Sequence, residues 1–323
     1  QEILDRGNKI FHWHSPSENI VKYYLLLLSI MRKEKYDVVH CHTMYNCGIV
    51  MLAAQQARVP CRISHSHNTD DDTDNSLRRK LYRGIMRRCI ISCSNEYFAC
   101  GVGAGNYLYG EKWFAKYGTV ITNGLEFDRF AFSEVSRNEV RKELGVEKSF
   151  VIGHTGHYER QKNQEFLIRL MPEILKDRSD AIMLLFGDGP FHEKFQKLIS
   201  ELNLETKVIL MGNYRNIEKI LSAMDVFVFP SLFEGTPLSL LEAQANGLPC
   251  VISTGVPQDA WVFDDIVHPV SLREESNIWV NAIVYAERGM QKERIKALSQ
   301  RYDNVYSSME KIYKIYKKYA EKK

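Results

Sequence analysis

The sequence predicts an α/β protein built from two Rossmann-like halves, each a parallel sheet with helices on both faces. Three observations predict it. Short apolar runs alternate with amphipathic, helix-length segments along nearly the whole chain. Those runs are apolar on both faces, as strands of a sheet covered on both sides must be. A polar stretch, "SEVSRNEVRKELGVEKS" at 133–149, divides the runs into two groups.

In the first group, "YYLLLLSIM" at 23–31 falls short of the roughly 20 apolar residues of a membrane span and reads as a buried helix. Strands are expected at "DVVHCH" (37–42), "CRISHS" (61–66), "EYFAC" (96–100) and "TVITN" (119–123). Between them, "NSLRRKLYRGIMRRC" (75–89) is basic and amphipathic, and comes just after the acidic "DDDTD". That stretch is either a solvated helix face paired with those acids or a face drawn to anionic lipid. The polar stretch 133–149 reads as a linker and a short helix ending at Gly145.

The second group has strands at "FVIGHTG" (150–156), "AIMLLFG" (181–187), "KVILMG" (207–212), "DVFVFP" (225–230) and "PCVIS" (249–253). Helices are expected at 163–176, 191–202 and 238–247. The tyrosine-bearing end, "YDNVYSSMEKIYKIYKKYAEKK", reads as an amphipathic helix packed on the body. The expected domains are 1–133, 134–300, and a C-terminal helix, 301–323, returning to the first domain.

Composition excludes several classes of function. Over 323 residues, 45% hydrophobic and 26% charged is an ordinary globular balance. A net charge of +3 is too small to suggest nucleic acid as a partner. The seven cysteines include no CxxC pair, so neither zinc site nor disulfide framework is expected, and a reducing cytosol fits.

The chemistry concentrates in "FPSLFEGTPLSLLEAQANGLPC", 229–250. Thr236 suits an N-cap and Pro237 a first helical position. The amides of Leu238 and Ser239 would then lie at the positive end of a helix dipole, a ready anion site. Glu242, a turn inside, can accept both hydroxyl protons of a vicinal diol, and Glu234 precedes the turn. An anion between two polyol-binding acids describes a nucleotide-sugar. The plainer account makes Ser239 and Glu242 a capping box and leaves Glu234 solvated.

"EGTPLSLLEA" resembles the E-x7-E signature of family 4 retaining glycosyltransferases of the GT-B fold. "IGHTGHYERQKNQEFLI" (152–168), "LLFGDGP" (184–190) and "MGNYRNIEKILSAMDVFVFPS" (211–231) resemble the family's phosphate loop, next turn and base-binding loop. "YDVVHCHT", "RISHSHNT", "ACGVGAGNYLYG" and "ITNGLEFDRF" resemble acceptor-domain and hinge segments of the exopolysaccharide and capsule branch. The resemblance implies two Rossmann-like domains facing across a cleft.

It also implies roles. Glu242 would hold the ribose and Glu234 the donor hexose. Backbone from Gly235 and Thr236 through Pro237, Leu238 and Ser239 would meet the phosphates. Lys162 matches the phosphate-binding lysine and would stabilise the leaving diphosphate. His157 stands where the family has arginine, so Lys162 carries more of that charge, or Arg160 swings in. Tyr214, Arg215 and Asn216 belong to the base-binding loop. His65 and His67 share one strand face, and one of them is expected near the reacting sugar; alternation does not choose between them.

The family begins with a strand, a glycine-rich loop and a long helix. "QEILDRGNKIFHWHS" resembles the family's segment beyond that helix, so the first domain is expected to lack its initial strand-helix unit. The overall expectation is a retaining glycosyltransferase moving a sugar from a nucleotide-diphosphate sugar, a UDP-sugar by preference. The acceptor would be a growing, lipid-linked cell-surface polysaccharide. It would work in the cytoplasm or at the inner face of the plasma membrane, on an anionic surface, without metal or cofactor and without nucleic acid. The alternatives are a non-catalytic nucleotide-sugar-binding fragment and a GT-B nucleotide-sugar epimerase.

Overall fold

The computed structural model describes residues 5, 7–11, 19–70, 76–214, 216–288 and 292–321. The chain forms two compact units, one of residues 1–67, 73–121 and 311–323, the other of 68–72 and 122–310.

The first unit runs α1 (Ile20–Glu34), β1 (Val38–Cys41), α2 (Cys47–Gln56), β2 (Cys61–Ser66), α3 (Leu77–Cys93), β3 (Glu96–Ala99), α4 (Val102–Tyr109), α5 (Glu111–Tyr117) and β4 (Gly118–Val120). Its sheet is parallel throughout, in the order β1-β2-β3-β4. Helix α1 is not the buried helix expected from "YYLLLLSIM". Only Leu28 and Met31 are buried, while Val21 and Leu25 are more than half exposed. One stripe of a 3.6-residue repeat suffices to dock a surface helix.

The second unit continues with α6 (Glu134–Glu143), β5 (Phe150–Thr155), α7 (Gln164–Asp177), β6 (Ala181–Phe186), α8 (His192–Glu201), β7 (Val208–Gly212), α9 (Ile217–Ala223), β8 (Val226–Phe229), α10 (Leu238–Ala245), β9 (Cys250–Ser253), β10 (Val267–Val270), α11 (Ser276–Val284) and α12 (Lys292–Arg301). Helix α13 (Val305–Ala320) closes the chain. The six strands are all parallel, in the order β10-β9-β8-β5-β6-β7. Strand β10 was not expected from the sequence: its "VHPV" is interrupted by histidine and proline, which an edge strand tolerates.

The "VFVF" of β8 explains why these runs are apolar throughout. Phe227 and Phe229 point into a core with Leu221, Leu240 and Leu241. Val226 and Val228 point into the opposite core with Leu167, Ile168 and Phe195. Each such fully buried side chain is worth roughly 1.5–3 kcal/mol, so both helix layers are needed.

The boundary between units falls at 121/122, earlier than the expected 133/134. The stretch at 133–149 is not a free linker. Ser133 caps α6, whose Val140 is buried, and Arg137 and Arg141 both pair with Asp225 at 2.5 and 3.1 Å. Phe127 and Phe130 enter the same core. Residues 311–323 group with the first unit, where Ile312, Ile315, Tyr316 and Tyr319 pack on Cys61, Ile63 and Phe98.

All seven cysteines are free thiols. Among the described residues no helix is long and apolar enough to cross a membrane.

Candidate functional site

In the second sheet β5 pairs with β6 on one side and β8 on the other, so strand order reverses between β5 and β8. Loops leaving the carboxyl ends of strands at such a reversal diverge and leave a crevice. Here they are 156–163 and 230–237. Hydrogen bonds stitch them together: Leu232 N donates to Gln161 O at 2.8 Å, Gln161 Nε2 to Phe233 O at 3.0 Å, and Asn163 Nδ2 to Pro230 O at 3.2 Å.

This stitching brings Lys162 to Glu234. The Lys162 Nζ donates to Glu234 Oε1 at 2.7 Å and lies 5.0 Å from the Phe229 ring centre. Glu234 is only 4% exposed, so it is not the solvated acid of the plainer account. Its backbone carbonyl accepts from Thr69 Oγ1 at 2.6 Å, and that of Thr236 from Asn123 Nδ2 at 3.3 Å. A buried ion pair is weak evidence for stability, because removing both ions from water offsets their attraction. Its position at the mouth of a crevice points to chemistry.

Helix α10 opens directly after. Its N-cap is Pro237, one residue later than the Thr236 expected, and no side chain caps it. The first intrahelical bonds are Leu240 N and Leu241 N to Pro237 O, which leaves the amides of Leu238 and Ser239 ahead of the ladder. Ser239 lies inside the helix rather than at its cap, so the capping box with Glu242 does not form. Gly235, Thr236 and Pro237 are buried, whereas Leu238 is 39% exposed. Burial raises the Glu242 carboxyl to about 7; Glu218 adds to this and Arg129 opposes it.

Several buried polar atoms at the crevice lack a protein partner: His154 Nε2 and Thr155 Oγ1 at the end of β5, Gln164 Oε1 at the start of α7, and Ser231 Oγ after β8. Each orphan costs about 1–3 kcal/mol. Burial holds the His154 imidazole down at about 4, so it is neutral and able to bond a polar ligand. The turn after β6 supports the loop from behind. Gly187 has φ 136°, and a Cβ there would stand 2.0 Å from Gly156 O.

His157, exposed, lines a cavity of about 280 Å³ with Thr155, Gly156, Asp188, Asn213 and Tyr214. The Tyr214 ring meets Phe186 edge-on at 6.0 Å. Asn216 is the N-cap of α9 and its side chain makes no cap bond. Arg215 lies outside the described residues. Arg160 does not join His157; it lines a different cavity, with Asn163, Glu165, Phe191, Lys194 and Leu232.

His65 and His67 lie in the first unit, on one face of β2 as alternation requires, with ring centres 4.2 Å apart. They are not alone. His40 and His42 continue the same face on β1: His40 Nε2 is 3.1 Å from His65 Nδ1, and His42 Nδ1 is 2.8 Å from His67 Nε2. Sequence reasoning missed His40 and His42. The signal was present, because "HCH" and "HSH" carry the same alternation on strands that pair in register. Burial lowers all four imidazoles, His40 to about 3, His65 to about 2 and His67 to about 4.

Residues 136–265 match the family described as Glycosyl transferases group 1, and residues 2–129 match Glycosyltransferase Family 4. EpsF of Bacillus subtilis, named as a glycosyltransferase, is 32% identical over 88% of this chain and 76% of its own. A UDP-Gal:α-D-GlcNAc-diphosphoundecaprenol α-1,3-galactosyltransferase of Escherichia coli is 29% identical, covering 78% and 68%. CapH of Staphylococcus aureus, a capsular polysaccharide biosynthesis glycosyltransferase, is 27% identical, covering 73% and 64%. The crystal structure of Anabaena HepE in complex with UDP superposes with a TM-score of 0.73 at 19% identity, covering 93% of this chain and 84% of that one.

Proposed function

This chain belongs to the family 4 glycosyltransferases and has the GT-B architecture, and from that premise we propose that it is a retaining transferase using a UDP-sugar to extend a lipid-linked cell-surface polysaccharide. The observation that carries this reading is the Lys162–Glu234 pair, half-buried lysine on buried carboxylate, held at the mouth of α10. The donor diphosphate lies against the amides of Leu238 and Ser239, where the helix dipole favours negative charge. Lys162 turns from Glu234 toward the diphosphate and stabilises the charge that builds as the sugar–phosphate bond breaks. Preorganised charge of this kind acts on the transition state more than on the bound donor.

Released from the lysine, the Glu234 carboxylate accepts hydroxyl protons of the hexose. Glu242 accepts from the ribose 2′- and 3′-hydroxyls, and the orphaned Thr155, Ser231 and His154 atoms take further polar contacts. The base enters the cavity lined by Asn213 and Tyr214, while His157 sits at its rim. These protein groups and the helix dipole meet the diphosphate charge without a metal or cofactor.

Two comparisons support the choice of donor and acceptor: HepE has been solved with UDP and with UDP-glucose, and the Escherichia coli relative is named for UDP-galactose and a diphosphoundecaprenol acceptor. A membrane surface fits helix α3. Leu77, Leu81 and Ile85 form an exposed stripe, 85%, 66% and 48% accessible, with Arg78, Lys80 and Arg88 exposed on the same helix. Apolar side chains flanked by lysine and arginine are what an anionic lipid face attracts. Such a surface lies on the cytoplasmic side, where the lipid-linked acceptor is met.

The test is transfer from a panel of UDP- and GDP-sugars to a lipid diphosphate-linked saccharide, with the anomeric configuration of the product read by NMR. Transfer with inverted configuration overturns the retaining assignment. Donor consumption that needs no acceptor indicates an epimerase. Donor binding with no turnover under any acceptor indicates a binding fragment.

A further inference from the structure

The imidazole face of the first unit holds four histidines where one was expected near a sugar. Cys61 and Ile63 of β2 pack on α13, and the same face continues through His65 to His67 just past the strand, so it changes midway from apolar to imidazole. On β1 the same face carries Val38 and His40, and His42 follows directly after the strand. One nitrogen from each of His40, His42 and His65 lies within 4.8 Å of the others. Among the described residues this is the one cluster of three or more metal-ligating side chains so closely spaced.

We propose that His40, His42 and His65 form a binding site for a divalent transition-metal ion of the zinc, cobalt or nickel kind, with His67 as a fourth imidazole.

The spacing fits. Tetrahedral zinc, with Zn–N distances of about 2.0–2.1 Å, sets its ligand nitrogens about 3.3–3.4 Å apart. The His40–His65 nitrogens stand at 3.1 Å and the His42–His67 nitrogens at 2.8 Å, so the two pairs need only small rotations. The donor set selects the metal class. Imidazoles alone suit zinc, cobalt, nickel or copper, and with no carboxylate among them magnesium and calcium are excluded.

The surroundings also resemble a support for ligands. Tyr316 OH is 2.7 Å from His40 Nδ1; accepting the Nδ1 hydrogen fixes the tautomer whose Nε2 lone pair faces His65. Phe98 meets both His40 and His65 edge-on, at 5.7 and 5.8 Å, and holds the ring planes. His65 is 3% exposed, and its Nε2 is a buried polar atom with no protein partner. His42, on the exposed side, gives the ion a way in.

The test is independent of sugar transfer. Tag-free, chelator-treated protein is titrated with Co²⁺ and followed by its visible absorption, then with Zn²⁺ by calorimetry, and extended X-ray absorption counts the imidazole ligands. The expected result is one ion per chain, held by three or four imidazoles, with the intense visible bands of low-coordinate cobalt. His42→Gln and His65→Asn should each weaken binding at least about tenfold, and together about 100-fold or more, while circular dichroism reports an unchanged fold. His42 is exposed, so H42Q tests the site even if H65N proves unstable. Binding weaker than millimolar, or affinity unchanged in H42Q, overturns the proposal. The second outcome would assign the metal to histidines elsewhere, such as His12 and His14.

Discussion

Glu242, proposed to hold the donor ribose, should destabilise the protein, and the size of that effect comes from its surroundings. Its carboxyl is raised from 4.5 to about 7, chiefly by burial. The shift corresponds to about 3 kcal/mol of preference for the protonated form. The sign is set by proton linkage. Between about pH 4.5 and 7 the folded protein holds a proton that the unfolded chain has released. Stability from this group is therefore full below 4.5 and is lost as pH rises through 7. Glutamine mimics the protonated acid at every pH. Glu242→Gln should therefore be more stable than the parent, by an increment that grows by about 2 kcal/mol from pH 5.5 to 8 and flattens above that. For a unit of this size the growth amounts to about 4–8 °C in melting temperature, readable by scanning calorimetry. The same variant should bind a UDP-sugar more weakly, and the parent's donor affinity should rise with pH where the variant's does not. A stability difference independent of pH, or a variant less stable throughout, would mean that burial does not hold the Glu242 carboxyl up. Gain of stability with loss of binding is the pattern expected of a functional acid buried against its electrostatic preference.

Lys162→Met should remove transfer and also destabilise by about 3–5 kcal/mol, because it strands a buried carboxylate; adding Glu234→Gln should recover most of the stability and none of the activity, measured by denaturation and turnover together. Tyr214→Ala should weaken donor binding by about tenfold, about 1.4 kcal/mol, with little effect on turnover of bound donor, as calorimetry and saturation kinetics would show. Gly187→Ala should cost about 3 kcal/mol and loosen the phosphate loop, since its methyl group would collide with the Gly156 carbonyl rather than with a movable side chain. Leu81→Glu in helix α3 should abolish flotation with anionic liposomes while leaving the melting temperature unchanged, because Leu81 is exposed; flotation equal to the parent would end the membrane assignment of that helix.

Much of the site was legible in the residues alone. "EGTPLSLLEA" placed two acids around a helix start, and the structure finds one buried beside Lys162 and the other raised by burial. The strand runs of both sheets were readable because fully covered parallel strands are apolar at every position. The features that escaped were set by neighbours distant in sequence. The α10 cap moved from Thr236 to Pro237, where loop 230–237 is held against loop 156–163. The stretch 133–149 read as a linker with a short helix; the helix is there as α6, but Arg137 and Arg141 tie it to Asp225, 88 and 84 residues away. Strand β10 lay hidden because proline and histidine at a sheet edge leave no apolar run.

The alternation of strand and helix, the family, and which residues carry charge in the loops after β5 and β8 are all legible in the residues alone. These are local properties: periodicity, capping chemistry and motif spacing are written within a few turns of chain. Which charges meet is set by the assembled sheet. Lys162 finds Glu234 across 72 residues because β5 and β8 are neighbours in the sheet, and four histidines from two strands become one cluster because β1 and β2 pair in register. Sheet order is settled by long-range packing, and no stretch of sequence contains it.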